Sequence, residues 1–295
     1  MASNLRCSCC STLPAPGAPQ LLTCGRCAQA QYCNVQCQTK QWKLHKPMCK
    51  TPQQRAQAVV DQALVEAGQD GRAVDVGKLL AQGARVNAKT PNWDTALILA
   101  SGHGHIECVT LLIHHKADLE HGDKEGFNAL SFACERGHVD VIEALLEAGA
   151  RIDHTTHCGH SVLMAASGNG HVSAVRLLVR RGALVNHVRG YDGFTALMMA
   201  SQDDRAEVVR ILLGAGAQVN FKRKDGFTAL MLASCNGHIE TVKALLDGGA
   251  DPRLISLHGF TALLLSELNR RAAVVTLLKA TIAELGHLDC GPTGS

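Results

Sequence analysis

The chain has 295 residues, 46% of them hydrophobic, with 29 Lys and Arg against 26 Asp and Glu. That length predicts two domains, with apolar material sufficient for a buried core. No apolar run approaches the ~20 residues that span a bilayer, and the first residues lack a secretory-signal pattern, so the expectation is an intracellular protein, cytoplasmic or nuclear, whose thiols stay reduced.

Charge and cysteine both divide the chain. Residues 1–60 hold seven Lys or Arg and no Asp or Glu, and eight of the 13 cysteines lie within the first 49 positions. Seven of these eight fall in pairs, Cys7 and Cys10, Cys24 and Cys27, Cys33 and Cys37, and Cys49 in a last pair with His45. Eight such donors make two tetrahedral sites, and closed sites of four Cys or His ligands are how zinc is held for structure. So short a segment has little to bury and is expected to fold on metal binding. Lys40, Lys43, Lys46 and Lys50 recur at helical spacing and predict a basic ridge, read as a solvated face rather than a nucleic-acid surface because no aromatic interleaving accompanies them.

This ladder resembles the MYND zinc finger, down to Tyr32, Gln38, Trp42 and Lys46 around the last two pairs. The resemblance implies two structural Zn2+ ions, one on Cys7, Cys10, Cys33 and Cys37 and the other on Cys24, Cys27, His45 and Cys49. Cys9 is an alternative to Cys10, with the two-residue gap favouring Cys10. Family members read short proline-containing peptides in a groove lined by a Gln and a Trp, positions held here by Gln38 and Trp42. A Ser that assists them is replaced by Gly25. Trp42 as groove wall and Trp42 as hydrophobic plug stand at equal weight.

After a linker at 51–59, a short signature recurs at Thr95, Asn128, Ser161, Thr195, Thr228 and Thr261, at intervals of 33, 33, 34, 33 and 33 residues. Gly-His follows in four of the units, and Gly-Ala closes most of them. Within each unit a polar turn, a short apolar helix, a Gly turn and a second amphipathic helix are predicted, with Val139, Ile142, Leu145 and Leu146 on one face of such a helix. Single hairpins cannot bury these faces, so neighbouring units must stack. The pattern resembles ankyrin repeats over 60–285, with an incomplete first unit at 60–88, six full ones and a tail at 286–295. The predicted fold is therefore mainly α, an ankyrin solenoid preceded by a finger at 1–50.

Departures from the repeat bear on function. Phe127, Phe194, Phe227 and Phe260 occupy one repeat position, shared by Asp94 and His160 in the other two units. In ankyrin proteins this position lies near the surface that contacts targets, so Phe127, His160, Phe194, Phe227 and Phe260 are candidate partner-binding residues, the alternative being that the rings are mortar between hairpins. His154, His157, Cys158 and His160 crowd one turn, where a metal reading is outweighed by the free variation of solenoid turns. Asn87, Asn186 and Asn220 sit where asparaginyl hydroxylases act on ankyrin proteins.

Nothing in the sequence pairs a nucleophile with a base, leaves a metal site open or cradles a phosphate, so no enzyme is expected. The reading is a monomeric adaptor without membrane insertion. Its ankyrin stack binds a protein and its finger a proline-containing peptide, in transcriptional regulation or signalling. A nucleic-acid-associated regulator using the basic head is the alternative.

Overall fold

The computed structural model describes residues 51–289 and a two-stranded ladder near the N-terminus, with side chains described at 51 and from 53 to 285. It divides into two compact units, 1–63 and 64–295. In the first, strands β1 (Leu22–Thr23) and β2 (Gln31–Tyr32) pair antiparallel, Leu22 opposite Tyr32. Among the described residues no helix is long and apolar enough to cross a membrane.

Helix α1 (Pro52–Gln69) starts where the sequence predicts a linker. The reason is local. Thr51 Oγ1 accepts the Gln54 N–H at 3.1 Å while Gln54 Oε1 accepts the Thr51 N–H at 2.9 Å. This is a reciprocal capping box, with Pro52 at the first helical position where its missing N–H costs nothing. At the other end of the chain, helix α14 (Ala272–Asp289) runs past the predicted boundary at 285.

Between them, α2 (Ala73–Ala81) is followed by six repeats of two helices: α3 (Ala96–His103) and α4 (Ile106–His114), α5 (Ala129–Arg136) and α6 (Val139–Glu147), α7 (Val162–Asn169) and α8 (Val172–Arg180), α9 (Ala196–Gln202) and α10 (Ala206–Gly214), α11 (Ala229–Asn236) and α12 (Ile239–Asp247), and α13 (Ala262–Leu268) with α14. The odd-numbered helices from α3 to α13 pack in one row, and the even-numbered helices from α2 to α14 in a second.

The recurring signature residue caps each helix of the first row. Asn128 Oδ1 accepts the Ser131 N–H at 2.9 Å, and the hydroxyls of Thr95, Ser161, Thr195, Thr228 and Thr261 accept equivalent bonds from Ile98, Met164, Met198, Met231 and Leu264. Each satisfies one of the orphan donors at a helix start, worth ~1 kcal/mol. The second-row helices turn Val109 and Leu112, Val141, Ile142 and Leu145, Val175 and Leu178, Val208, Val209 and Leu212, and Val242 and Leu245 into the core. Each fully buried aliphatic contributes roughly 1.5–3 kcal/mol. A line of small residues, Ser101, Cys134, Ser167, Ser201, Ser234 and Ser266, is fully buried between the rows, and burial pushes the Cys134 thiol up.

The Gly-His histidines hold the repeats to one another. Nε2 of His105, His138, His171 and His238 lies 2.8–3.1 Å from the carbonyls of Gln69, Gly102, Glu135 and Gln202 in the preceding unit. Where the histidine is absent, Arg205 and Arg271 send Nε to Gly168 O and Cys235 O at 3.1 and 3.2 Å.

Candidate interaction surface

The predicted zinc ligands Cys7, Cys10, Cys24, Cys27, Cys33, Cys37, His45 and Cys49, with Gln38, Trp42 and Cys9, lie outside the described residues. The described ladder ends its strands at Thr23 and Tyr32, each the chain neighbour of a predicted ligand, Cys24 and Cys33. A donor set of seven thiols and one imidazole suits zinc in closed sites, where the metal supplies folding energy rather than a reactive position.

In the second unit the turns between successive repeats form hairpin tips, closed in the first three by bridges at Lys89 with Thr95, Gly122 with Asn128 and Thr155 with Ser161. The single 34-residue interval is absorbed here. The tip running from His187 to Thr195 has one extra residue, yet His187 Nε2 lies 3.0 Å from Gly159 O, the contact that His121 makes with Trp93 O and His154 with Gly126 O. The turn at His154–His160 is thus occupied by structural bonds. His154 also approaches Glu120 at 3.6 Å, Thr156 Oγ1 meets Cys158 Sγ at 3.1 Å, and His160 Nε2 reaches Met199 Sδ at 3.3 Å. Among the described residues no three metal-ligating side chains converge.

The predicted aromatic row faces neighbouring hairpins. Phe127 contacts Phe132 and His160, and Phe227 contacts Phe260, with ring centroids 5.6–6.5 Å apart. Phe194 is 8% exposed, with the guanidinium carbons of Arg189 and Arg223 at 5.0 and 4.8 Å from its centroid. Arg223 also lies 5.0 Å from Phe227. A ring with cations over it in this way has little area left for a partner, so Phe194 reinforces the stack. Phe127, His160, Phe227 and Phe260 are half-buried.

Electrostatics follow from that packing. Arg223 hydrogen-bonds Asp225 through both Nε and Nη2 and holds its carboxyl below the usual carboxylate range. At Asp192 burial opposes ionisation, but the bidentate Arg189 and the Phe194 N–H overcome it, and the carboxyl again lies low. Burial, with the Arg189 charge, lowers the His160 pKa. What stands out from the tips is a different set of side chains, Val188, Tyr191, Ile255 and Leu257, with Lys222 and Lys224 on the tip between. The sequence reading missed them because it followed positions that recur, and these residues do not.

A second feature lies along the first helix row. His160, Gly168, Met199, Gln202, Asp203 and Arg205 line an open cleft of about 530 Å³. It occurs where Asp203, Asp204 and Arg205 replace the Asn-Gly-His of neighbouring repeats.

The ankyrin-repeat family model matches three times, at residues 64–156, 149–223 and 207–287. The chain belongs to the ankyrin-repeat family. A MYND-finger model matches residues 7–49. Of solved structures, the ankyrin repeat domain of human ASB11 is similar at 27% identity and a TM-score of 0.66, covering 73% of this chain and 96% of that one. The ankyrin repeat domain of Bcl-3, an IkappaB family member, is similar at 28% identity and a TM-score of 0.64, covering 74% and 97%. The finger region is 48% identical over 44 residues to N-lysine methyltransferase SMYD2-A of Danio rerio, 15% of this chain but only 9% of that protein. The methyltransferase likeness is thus confined to the finger, while the ankyrin stack is an interaction scaffold for proteins and the MYND finger a zinc-binding module.

Proposed function

We propose that this chain is a non-catalytic adaptor that holds one protein on its ankyrin stack and a proline-containing peptide on its finger, with two structural zinc ions in the finger. The observation that supports the stack's part is the division of labour among its side chains. Residues that recur every 33 or 34 positions cap helices, bridge repeats or fill the core, whereas those that differ between repeats, such as Tyr191, Lys222 and Leu257, stand exposed on the tips. The finger's part is supported by Gln38 and Trp42 at the family's groove positions. Two modest contacts on one chain gain strength through effective concentration.

The test is zinc content of the purified chain, together with a panel of proline-rich peptides titrated onto wild type and Trp42→Ala. Two zinc ions per chain and binding that Trp42→Ala weakens by about tenfold are expected, the loss typical of an aromatic anchor. One ion or none would sink the two-site reading. Binding unaffected by the substitution would remove the peptide groove.

A further inference from the structure

The tips of the last three repeats are joined through the main chain. Lys224 N–H donates to Asp192 O at 3.3 Å and Leu257 N–H to Asp225 O at 3.0 Å. The second junction leaves no space for a side chain: a Cβ on Gly226 would sit 2.6 Å from Leu257 N. Lys222 Nζ reaches Ile255 O at 3.0 Å, and Arg223 is wedged against Phe194 and Phe227. A strip braced in this way loses little entropy on meeting a partner.

Its exposed chemistry is of two kinds. Tyr191, Ile255 and Leu257 are 61%, 55% and 75% exposed, far more than a fold needs of such residues, and with Val188 they make up four of the ten large apolar side chains left exposed among the described residues. The charges are lopsided. Asp192 and Asp225 are neutralised by their own arginines, whereas neither Lys222 nor Lys224 has a carboxylate within 4.0 Å among the described residues. The strip therefore presents two ammonium groups without a carboxylate partner, that of Lys222 held on Ile255 O, between apolar tips, complementary to carboxylates interspersed with aliphatic side chains.

We infer that the tips at Val188–Tyr191, Lys222–Lys224 and Ile255–Leu257 dock an acidic protein segment, whose carboxylates meet Lys222 and Lys224 while its apolar residues rest on Tyr191 and Leu257. This rests on the reading of the stack as a protein-binding scaffold and adds the partner's chemistry. Nucleic acid would be served by the two lysines but gains little from Ile255 and Leu257, which offer it no stacking face.

The experiment titrates the full chain into a dye-labelled synthetic peptide rich in Glu with interspersed Leu, followed by fluorescence anisotropy. The same peptide with Gln for Glu and a single-stranded oligonucleotide are run beside it. Lys222→Gln with Lys224→Gln should weaken binding roughly fivefold and flatten its salt dependence, and Tyr191→Ser with Leu257→Ser should weaken it about tenfold. Both pairs alter exposed side chains, and an unchanged urea midpoint shows that each variant is folded. Equal binding of the Gln peptide, tighter binding of the oligonucleotide, or self-association of the chain that the tip variants abolish would each overturn the proposal. Binding lost on Met199→Ala and Gln202→Ala in the first-row cleft but kept by the tip variants would overturn it too, while leaving the stack's role as a protein scaffold intact.

Discussion

Arg223 lies with its guanidinium carbon 4.8 Å from the ring centroid of Phe194, one repeat earlier in the chain. A partly buried cation over an aromatic face is worth ~1 kcal/mol, and the fork of Arg223 is at the same time fixed by Asp225. The contact joins adjacent repeats through a residue that periodicity does not mark.

Replacing Arg223 by Ala is therefore expected to destabilise the stack by about 1–2 kcal/mol, and Lys should restore little of it, because an ammonium group cannot stack and fork at once. Urea unfolding checks both. An Arg223→Lys variant as stable as wild type would show that charge alone matters at this position.

Trp93, Lys116, Asp204 and Arg270 have positive φ, from 56° to 73°, at repeat positions where other units carry glycine. The strain of a left-handed non-glycine residue is roughly 1 kcal/mol. Lys116→Gly should thus raise stability by about 0.5–1 kcal/mol. Asp204→Gly should not, since it forfeits the 2.8 Å bond from Thr241 and the approach to His238. The pair of urea midpoints separates strain from compensation.

His171→Ala should cost ~1 kcal/mol by removing the inter-repeat bond to Glu135 O. His171→Arg should be tolerated, because Arg205 and Arg271 make the same bridge elsewhere in the stack. Thermal unfolding distinguishes them. Equal losses for Ala and Arg would mean that imidazole shape, not the donor, is required.

His160 gives the stack a pH dependence with a definite sign. Burial first, then Arg189, disfavour its charged form in the folded chain, while the unfolded chain takes up the proton near pH 6.5. Below that pH the unfolded state binds more protons, so this residue's contribution is present above ~6.5 and declines as pH falls. His160→Phe, which supplies the residue of four other repeats, should make the melting temperature fall less between pH 7 and pH 5.5. An identical fall in both proteins would place the dependence on other groups.

The sequence by itself determined the stack, because its main stabilising devices recur with the repeat: a hydroxyl or amide at each first-helix cap, an apolar face on each second helix, a glycine at most of the positions where φ turns positive. Local chemistry dictates those choices, so they are visible one unit at a time. The capping box of Thr51 and Gln54 was equally local and equally legible, yet the sequence reading passed over it for a linker. Other features could not be read, since they depend on residues about thirty positions apart meeting across a repeat boundary. The Gly-His motif marks the register in sequence, but only stacking reveals its ring nitrogen on the carbonyl of the unit before. Phe194 and Tyr191 are both aromatic residues of one turn, and nothing local separates them. The tertiary structure does: Arg189 lies over both rings, but only Phe194 also has Arg223 of the next repeat over it and is buried, while Tyr191 is left 61% exposed.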